Sequence, residues 1–109
     1  MKKPLFGWLS VIALIASASA THAASRKQRE HGSELFQATG CAHCHTIGKT
    51  GGNKGPNLSG VGQTVTPAAM RKQIVDGGKG MPPFGEILKP NELNDLITYL
   101  ESCKGEPGK

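Results

Sequence analysis

Hydrophobic residues near the start of the chain form one nearly unbroken run, residues 5–16, behind two lysines. Small residues follow, and the order basic, apolar, small is the layout of a secretory signal peptide. The run is shorter than the roughly 20 residues that a membrane-spanning helix needs. We therefore expect residues 1–23 to be a signal peptide, cleaved near Ala23 or Ala24, and residues 24–109 to form the mature domain. A retained N-terminal anchor is the alternative.

Two segments in the middle of the chain carry helix signals. Apolar and small residues over 32–39 predict a short helix that Gly40 ends, after a polar lead-in, residues 25–30, that we expect to fray. Thr66 and Pro67 supply the N-cap and the first turn of a second helix, and a glycine pair ends it.

The last helix has the clearest pattern. Pro90 opens it, and Lys104 with Gly105 ends it. Its apolar positions follow the i, i+3, i+4, i+7 spacing of an amphipathic helix, at Leu93, Leu96, Ile97 and Leu100. Residues 46–63 and 79–88 are rich in Gly, Pro and Lys and predict long loops. No alternating run is long enough to predict a strand, so the expected fold class is all-α, with three to five short helices.

The mature domain has little apolar material for its size. It would keep about 85 residues, at which size a side-chain core alone gives marginal stability, and its aromatic residues are only Phe36, Phe84 and Tyr99. Two of the three cysteines in the chain are three residues apart, so a disulfide between them would close almost no loop. A large bound cofactor is therefore the expected filling of the domain, and long loops are explained if they wrap around it.

The charge of the chain is mildly basic. The net charge is +5, and it falls to +3 when the two N-terminal lysines are removed with the signal peptide. No basic helix and no stripe of aromatic and basic residues accompanies this excess. Nucleic-acid binding is therefore not expected.

The segment Cys41-Ala42-His43-Cys44-His45 is the strongest chemical signal in the chain. We call it the haem motif, because Cys-x-x-Cys-His is the attachment pattern of c-type haem. Two thiols about one helical turn apart can reach two vinyl groups on one porphyrin edge as thioethers, and the next residue can ligate the iron. Cys41 and Cys44 are thus the predicted covalent sites of haem c (iron protoporphyrin IX), and His45 is a predicted iron ligand.

Other uses of the same residues fit less well. A zinc site needs two further ligands, and the remaining candidates, such as His31 and Cys103, lack paired spacing. A thioredoxin-like redox pair belongs in a βαβ setting, which the pattern does not predict. A plain disulfide leaves His45 unexplained. His43, between the cysteines, is expected to be a solvated or packing residue.

On these residues the chain resembles the class I c-type cytochromes, over nearly all of its mature part. The resemblance implies the cytochrome c fold, with short helices wrapped around one covalently bound haem, so that residues 24–109 would be a cytochrome c domain. In that family a Gly and an aromatic residue before the haem motif cross the last helix at a close contact. Gly32 and Phe36 match one side of that contact, and Leu96 and Tyr99 match the other.

The resemblance also implies two partners for the haem site. Pro56 lies in a Gly-Pro-Asn-Leu segment similar to the loop whose Pro carbonyl accepts a hydrogen bond from the proximal His, here His45. Met81, in a Gly-Met-Pro-Pro-Phe segment, matches the loop that supplies the second axial ligand. Met81 also lies in a Gly- and Pro-bounded loop, whereas the rival Met70 stands at i, i+4 with Ile74 on a helix. An exchangeable or vacant ligand position is the remaining alternative.

Two axial protein ligands would saturate the iron. That arrangement predicts a one-electron carrier, cycling between Fe(II) and Fe(III) in the periplasm, and not an enzyme. Its expected partners are redox proteins such as a dehydrogenase or a terminal oxidase or reductase, and no stable membrane insertion is expected. A peroxidase-like enzyme with an open iron position, and a subunit tied to one dehydrogenase or oxidase, are the alternatives.

Four further residues carry weaker expectations. In the family, lysines near the exposed haem edge often meet acidic partner surfaces, and Lys49, Lys54 and Lys79 would do so here unless they are ordinary solvated charges. Cys103 is an unpaired cysteine, to be explained as a partly buried apolar residue, as a lone exposed thiol or as the link of a Cys103-linked dimer.

Overall fold

The computed structural model describes the backbone of residues 6–105 and the side chains of residues 22–105. The regular elements of that part are helix α1 (Phe6–Ala38), a 3-10 turn (Cys41–His43), strands β1 (Thr46–Ile47) and β2 (Thr50–Gly51), and helices α2 (Val61–Thr64), α3 (Pro67–Asp76) and α4 (Pro90–Glu101). The predicted all-α class is confirmed, because the two strands contribute only two residues each.

Helix α1 is much longer than the helix predicted over residues 32–39. The expectation that residues 25–30 fray is wrong, since they are helical. Residues 8–31 contain no Gly or Pro and are rich in Ala, so nothing interrupts the ladder of backbone hydrogen bonds. The Arg29 guanidinium also donates a hydrogen bond to Ser25 Oγ, one turn earlier, at 3.0 Å.

The signal-peptide prediction concerns residues that the structure covers only in part. Residues 1–5 lie outside the described chain, and so do the side chains of residues 6–21. Over the residues that are described, no helix is both long and apolar enough to cross a membrane. A signal peptide over residues 1–23 and its cleavage near Ala23 or Ala24 stay predictions.

Helices α3 and α4 begin where the sequence predicts. Thr66 caps α3, because its hydroxyl oxygen accepts a hydrogen bond from the Ala69 N–H at 3.2 Å. Pro90 lies in the first turn of α4, where its missing N–H costs no helical hydrogen bond. Glu92 then accepts a hydrogen bond from the Lys89 N–H at 2.8 Å, which secures the same end of the helix.

The predicted loop over residues 46–63 contains regular structure. Strands β1 and β2 form an antiparallel hairpin, in which Thr46 pairs with Gly51 and Ile47 with Thr50. One helical turn, α2, follows it. Strands of two residues are too short for an alternating pattern to reveal them, so no sequence pattern predicts this hairpin.

The end of the described chain packs onto α2 and does not prolong α4, which stops at Glu101. The Gly62 N–H donates to the Cys103 carbonyl at 2.8 Å, and the Gly105 N–H donates to the Ser59 carbonyl at 2.7 Å. These backbone hydrogen bonds replace the ones that a longer helix would have made. The helix therefore ends slightly before the stop that the sequence predicted.

The core lies between α1, α3 and α4. Its buried hydrophobic residues are Phe36, Val61, Met70, Ile74, Leu88, Leu93, Leu96, Ile97, Leu100 and Cys103. All four apolar positions of the predicted amphipathic pattern in α4 belong to this set, so that pattern identified the buried face correctly.

Helices α1 and α4 cross in direct contact at Gly32. A methyl group on Gly32 would overlap the Asp95 carbonyl oxygen and would lie 2.6 Å from Tyr99 Cβ. The Phe36 and Tyr99 rings pack next to this point, with centroids 6.1 Å apart and planes inclined by 59°. Leu96 is buried in the same region at 1% exposure. The close helix contact implied by the resemblance is therefore confirmed.

An ion pair spans the same crossing. His31 Nδ1 lies 2.7 Å from Asp95 Oδ2. This hydrogen bond raises the pKa of His31, and the negative charges of Asp95, Glu34 and Glu92 act in the same direction, while desolvation opposes them. Because the ion pair requires a protonated imidazole, it stabilises the crossing fully at a pH below the ordinary pKa of histidine. That contribution is lost as the pH rises through the raised pKa of His31.

We expect Gly32→Ala to destabilise the protein by roughly 1–3 kcal/mol, because the added methyl group forces α1 and α4 apart. Helix propensity acts in the opposite direction, since Ala is favoured over Gly within a helix by about 1 kcal/mol. Thermal unfolding measures the effect, with Gln37→Ala, at an exposed and uncharged position of the same helix, as the control. A higher unfolding midpoint in Gly32→Ala would contradict the close contact.

Candidate haem site

A cavity of about 530 Å³ opens between the haem motif, α3, α4 and the two long connections. Its walls are mostly apolar, and several of the side chains that form them also belong to the core, namely Phe36, Met70, Ile74, Leu96 and Leu100. A cavity of this volume with an apolar lining and few polar groups suits a large organic ligand.

The predicted haem-binding residues converge on this cavity. The cavity is lined by Cys41, Cys44 and His45, from the segment that follows α1. Met81 lines it from a loop much later in the chain. Pro56 lies in the lining as well. The structure thus brings together all five residues that the sequence singled out for the site.

The haem motif is held in one tight turn. Gly40 has a φ of 89°, in the left-handed region, and ends the helical path of α1. The His45 N–H then donates to the Cys41 carbonyl at 3.0 Å, so these two residues stand one helical turn apart. Cys41 and Cys44 are both partly buried. Burial raises the pKa of the Cys41 thiol.

The loop that follows the motif fixes the imidazole of His45. His45 Nδ1 lies 2.7 Å from the Pro56 carbonyl oxygen. Because a carbonyl can only accept, Nδ1 carries the proton and donates it, and Nε2 keeps the lone pair with which a neutral imidazole binds a metal. The Gly55 N–H donates to the Cys44 carbonyl at 2.7 Å and anchors this loop to the motif.

Met81 follows a tight two-residue turn. Gly78 and Met81 exchange both backbone hydrogen bonds, at 2.8 and 3.1 Å. Between them Lys79 and Gly80 have φ of 56° and 87°, and positive φ at both central residues defines a type I′ turn. The turn fixes the backbone of Met81 at the edge of the cavity, while its partly buried side chain lines the wall.

One polar residue of the site had no signal in the sequence. Gln73, on α3, lines the cavity, and its Nε2 lies 3.8 Å from Met81 Sδ. Gln73 stands at an exposed helix position, outside every recognisable motif. Only the reversal of the chain after α3 brings the amide and the thioether together, and a single sequence does not show that reversal.

The other residues singled out by the sequence are less central. Met70 is 4% exposed and packs in the core, as its helical spacing predicted. Lys54 and Lys79 are exposed residues at the border of the cavity, whereas Lys49 is exposed but does not line it. Two of the three lysines therefore lie where a partner approaching the cavity would meet them.

Cys103 and His43 lie away from the cavity lining. Cys103 is 8% exposed, its Sγ lies 3.5 Å from the Tyr99 carbonyl oxygen, and burial raises the pKa of its thiol. This burial favours a packing role over a link between two chains. His43 was expected to be a solvated or packing residue, and its exposure favours the first of these roles.

Comparison with known proteins decides which ligand this cavity takes. The profile of the family described as Cytochrome C oxidase, cbb3-type, subunit III matches residues 27–100. The chain belongs to this family and is a class I c-type cytochrome. It therefore binds haem c covalently, and the paired thiols, the oriented imidazole and the apolar walls described above fit that group.

Several c-type cytochromes are similar to this one. Cytochrome c from Gibberella zeae is 36% identical over 95 residues, covering 64% of this chain and 89% of the relative. Cytochrome c-550 from Bacillus subtilis is 29% identical over 90 residues, covering 83% of this chain and 72% of the relative. The solved structure of the c-type cytochrome SorU from Sinorhizobium meliloti matches with a TM-score of 0.64 at 26% identity, covering 74% of this chain and 95% of that one. The cytochrome c fold is thereby confirmed.

A longer relative is similar over only part of its length. The Cbb3-type cytochrome c oxidase subunit FixP from Sinorhizobium medicae is 32% identical over an alignment of 90 residues, which covers 72% of this cytochrome. The cytochrome spans only 31% of FixP. Electron transfer through haem is the function that the cytochrome relatives support for this protein.

We expect Gly55→Ala to disturb the haem site, because its methyl group would lie 2.6 Å from His45 Cε1 and 2.9 Å from Nδ1. The ring must then move away from the Pro56 carbonyl. Gly60→Ala is the matched control, since nothing lies within 4 Å of a methyl group there and its φ of −111° suits any residue. The measurements are the fraction of protein with covalently attached haem and the free energy of unfolding. Equal values in the two variants would argue against a tight fit around His45.

Proposed function

We propose that the mature protein, residues 24–109, is a periplasmic one-electron carrier in which His45 and Met81 are the axial ligands of the haem iron. The observation that carries this proposal is the convergence of an imidazole, a thioether and two thiols on one apolar cavity. When bound, haem c supplies the Fe(II)/Fe(III) couple. An electron can be exchanged without any substrate reaching the iron, so the function needs no open ligand position.

Cys41 and Cys44 attach the haem as thioethers in this proposal. Their two Sγ atoms would hold the porphyrin edge covalently, each through one S–C bond at a vinyl position. The hydrogen bond from the His45 N–H to the Cys41 carbonyl supports this role, because it keeps the motif in a single helical turn. Covalent attachment prevents loss of the cofactor from a protein that has left the cytoplasm.

Pro56 orients the first axial ligand. Its carbonyl accepts the Nδ1 proton of His45 and so leaves Nε2 for the iron. The same hydrogen bond increases the electron donation of the imidazole. Gly55 has no side chain and so leaves room for the ring beside the loop. The position and the electron donation of the imidazole are therefore determined by two neighbouring residues, Gly55 and Pro56.

Met81 is a better candidate than Met70 for the second axial ligand. Met70 is 4% exposed on α3 and is held by core side chains, whereas Met81 leaves a turn at the edge of the cavity. A thioether opposite an imidazole favours Fe(II) and raises the reduction potential relative to two imidazoles. The carrier then accepts electrons from donors of lower potential.

Two further parts of the chain, the N-terminal segment and the lysines at the cavity, serve export and docking. Residues 1–23 direct the chain to the periplasm as a signal peptide. Lys54 and Lys79 border the cavity and are exposed, so they attract a redox partner with an acidic surface to the place where the electron leaves.

We expect Met81→Leu to abolish a weak absorption band at the red end of the oxidised spectrum, because that band needs a sulfur–iron bond. The midpoint potential should fall in the same variant. Met70→Leu is the control and should keep the band, because Leu conserves the volume of a packing side chain in the cavity wall. The measurements are an oxidised-minus-reduced spectrum of the periplasmic fraction and a redox titration of the purified protein. A band that persists in Met81→Leu would refute the ligand assignment.

A second candidate function is favoured by the family profile and by the similarity to FixP, which is named as an oxidase subunit. In that case the protein would be a haem subunit held permanently on one oxidase. The chemistry at the iron would be the same, and the partner would differ.

A free carrier should elute alone from size-exclusion chromatography of a gently prepared periplasmic extract, at both low and high salt. Its encounters with a partner depend on exposed lysines, which salt screens. The measurement is the haem absorbance of each fraction. Elution with a second protein in fixed ratio at both salt concentrations would favour the subunit over the carrier.

A further inference from the structure

One side chain connects α3 to the turn that carries Met81. The amide nitrogen of Gln73, Nε2, lies 3.4 Å from the Gly78 carbonyl oxygen and 3.8 Å from Met81 Sδ. An amide nitrogen carries two hydrogens, and both acceptors lie within the longer range that a weak hydrogen bond allows. The two contacts together tie the side chain of Gln73 to both ends of the type I′ turn.

The backbone of Gln73 holds the same chain reversal. Its carbonyl accepts a hydrogen bond from the Gly77 N–H at 2.9 Å, which ends α3. Gly78 and Met81 then close the turn through their own backbone pair. The backbones of Gln73 and Met81 are therefore held close to each other, and the side-chain amide spans the remaining distance to the sulfur, although Gln73 is largely exposed.

We propose that Gln73 is a positioning residue for Met81, donating an N–H to the thioether sulfur. This inference rests on the proposed function, in which Met81 is an axial ligand. A thioether sulfur has two lone pairs, and a hydrogen bond to one of them directs the other. The bond therefore restricts rotation of the Met81 side chain and keeps its sulfur turned into the cavity.

The same hydrogen bond has an electronic consequence. A donor on the sulfur withdraws electron density from it, which weakens its support of Fe(III) more than of Fe(II). The midpoint potential is then higher than Met81 alone would give. Because the amide is uncharged, this contribution needs no protonation and adds no net charge to an apolar wall.

The test compares Gln73→Leu, which removes the N–H at similar volume, with Gln63→Leu. Gln63 is a matched control, because it is also exposed and its amide also donates to a backbone carbonyl, that of Lys104 at 2.6 Å, but it does not line the cavity. Three properties of the holoprotein are measured for both variants: the midpoint potential, the affinity of the oxidised protein for added imidazole, and the red absorption band. Gln73→Glu, which replaces the donor by an acceptor, is measured as a second variant.

In Gln73→Leu we expect a lower midpoint potential and an imidazole affinity raised roughly two- to fivefold, the effect of losing one weak hydrogen bond. Gln73→Glu should lower the potential further, and Gln63→Leu should match the wild type. Wild-type values of both properties in Gln73→Leu would overturn the proposal. The same changes in Gln63→Leu as in Gln73→Leu would also overturn it, because they would indicate a general loosening.

Failure of the proposed function has a different signature. If Met81 were not a ligand, the red absorption band would be absent from the wild type or would persist in Met81→Leu, whichever residue stood at position 73. A band that Met81→Leu abolishes, together with an unchanged potential in Gln73→Leu, rejects only the role of Gln73.

Discussion

The domain is organised around a core that its own side chains do not complete. Phe36, Ile74, Leu96 and Leu100 are buried against neighbouring helices, yet each also lines the cavity. Burial of apolar surface is the main stabilising contribution in a domain of this size. These side chains bury part of their apolar surface against one another and the rest against the haem that the family binds. Stability and electron transfer therefore depend on the same walls.

The two proposed axial ligands are held by turns, while the helices supply the walls. His45 is fixed by the Pro56 carbonyl, and Met81 follows a turn that closes on Gly78. The first of these contacts orients the imidazole directly, and the second fixes the backbone from which the Met81 side chain leaves. The loops can therefore present polar and sulfur-containing groups to an apolar cavity, and the helices can remain ordinary amphipathic elements.

The sequence predicted best the features that depend on local chemistry. Three such features are present in the structure: the haem motif, the Thr66 cap of α3 and the apolar face of α4. Each of them is determined by residues that are near one another in the sequence. The hydrogen bond between His45 and Pro56 was implied by resemblance alone and is present.

The features that the sequence did not reveal depend on contacts formed only in the folded chain or on a balance of weak conformational propensities. The length of α1 follows from an uninterrupted Ala-rich segment, in which helix propensity prevails over the polar character of residues 25–30. The hairpin over residues 46–51 is too short to have a period. Gln73 carries no local signal, because its contact with Met81 exists only after the chain has reversed.

The crossing of α1 and α4 also closes a long loop. His31 and Asp95, which pair across it, are 64 residues apart, and the haem motif lies between them. Bringing two such distant segments together costs conformational entropy. Because Phe36 of α1 and Leu96 of α4 both line the cavity, a group bound there contacts both ends of the loop and offsets part of that cost.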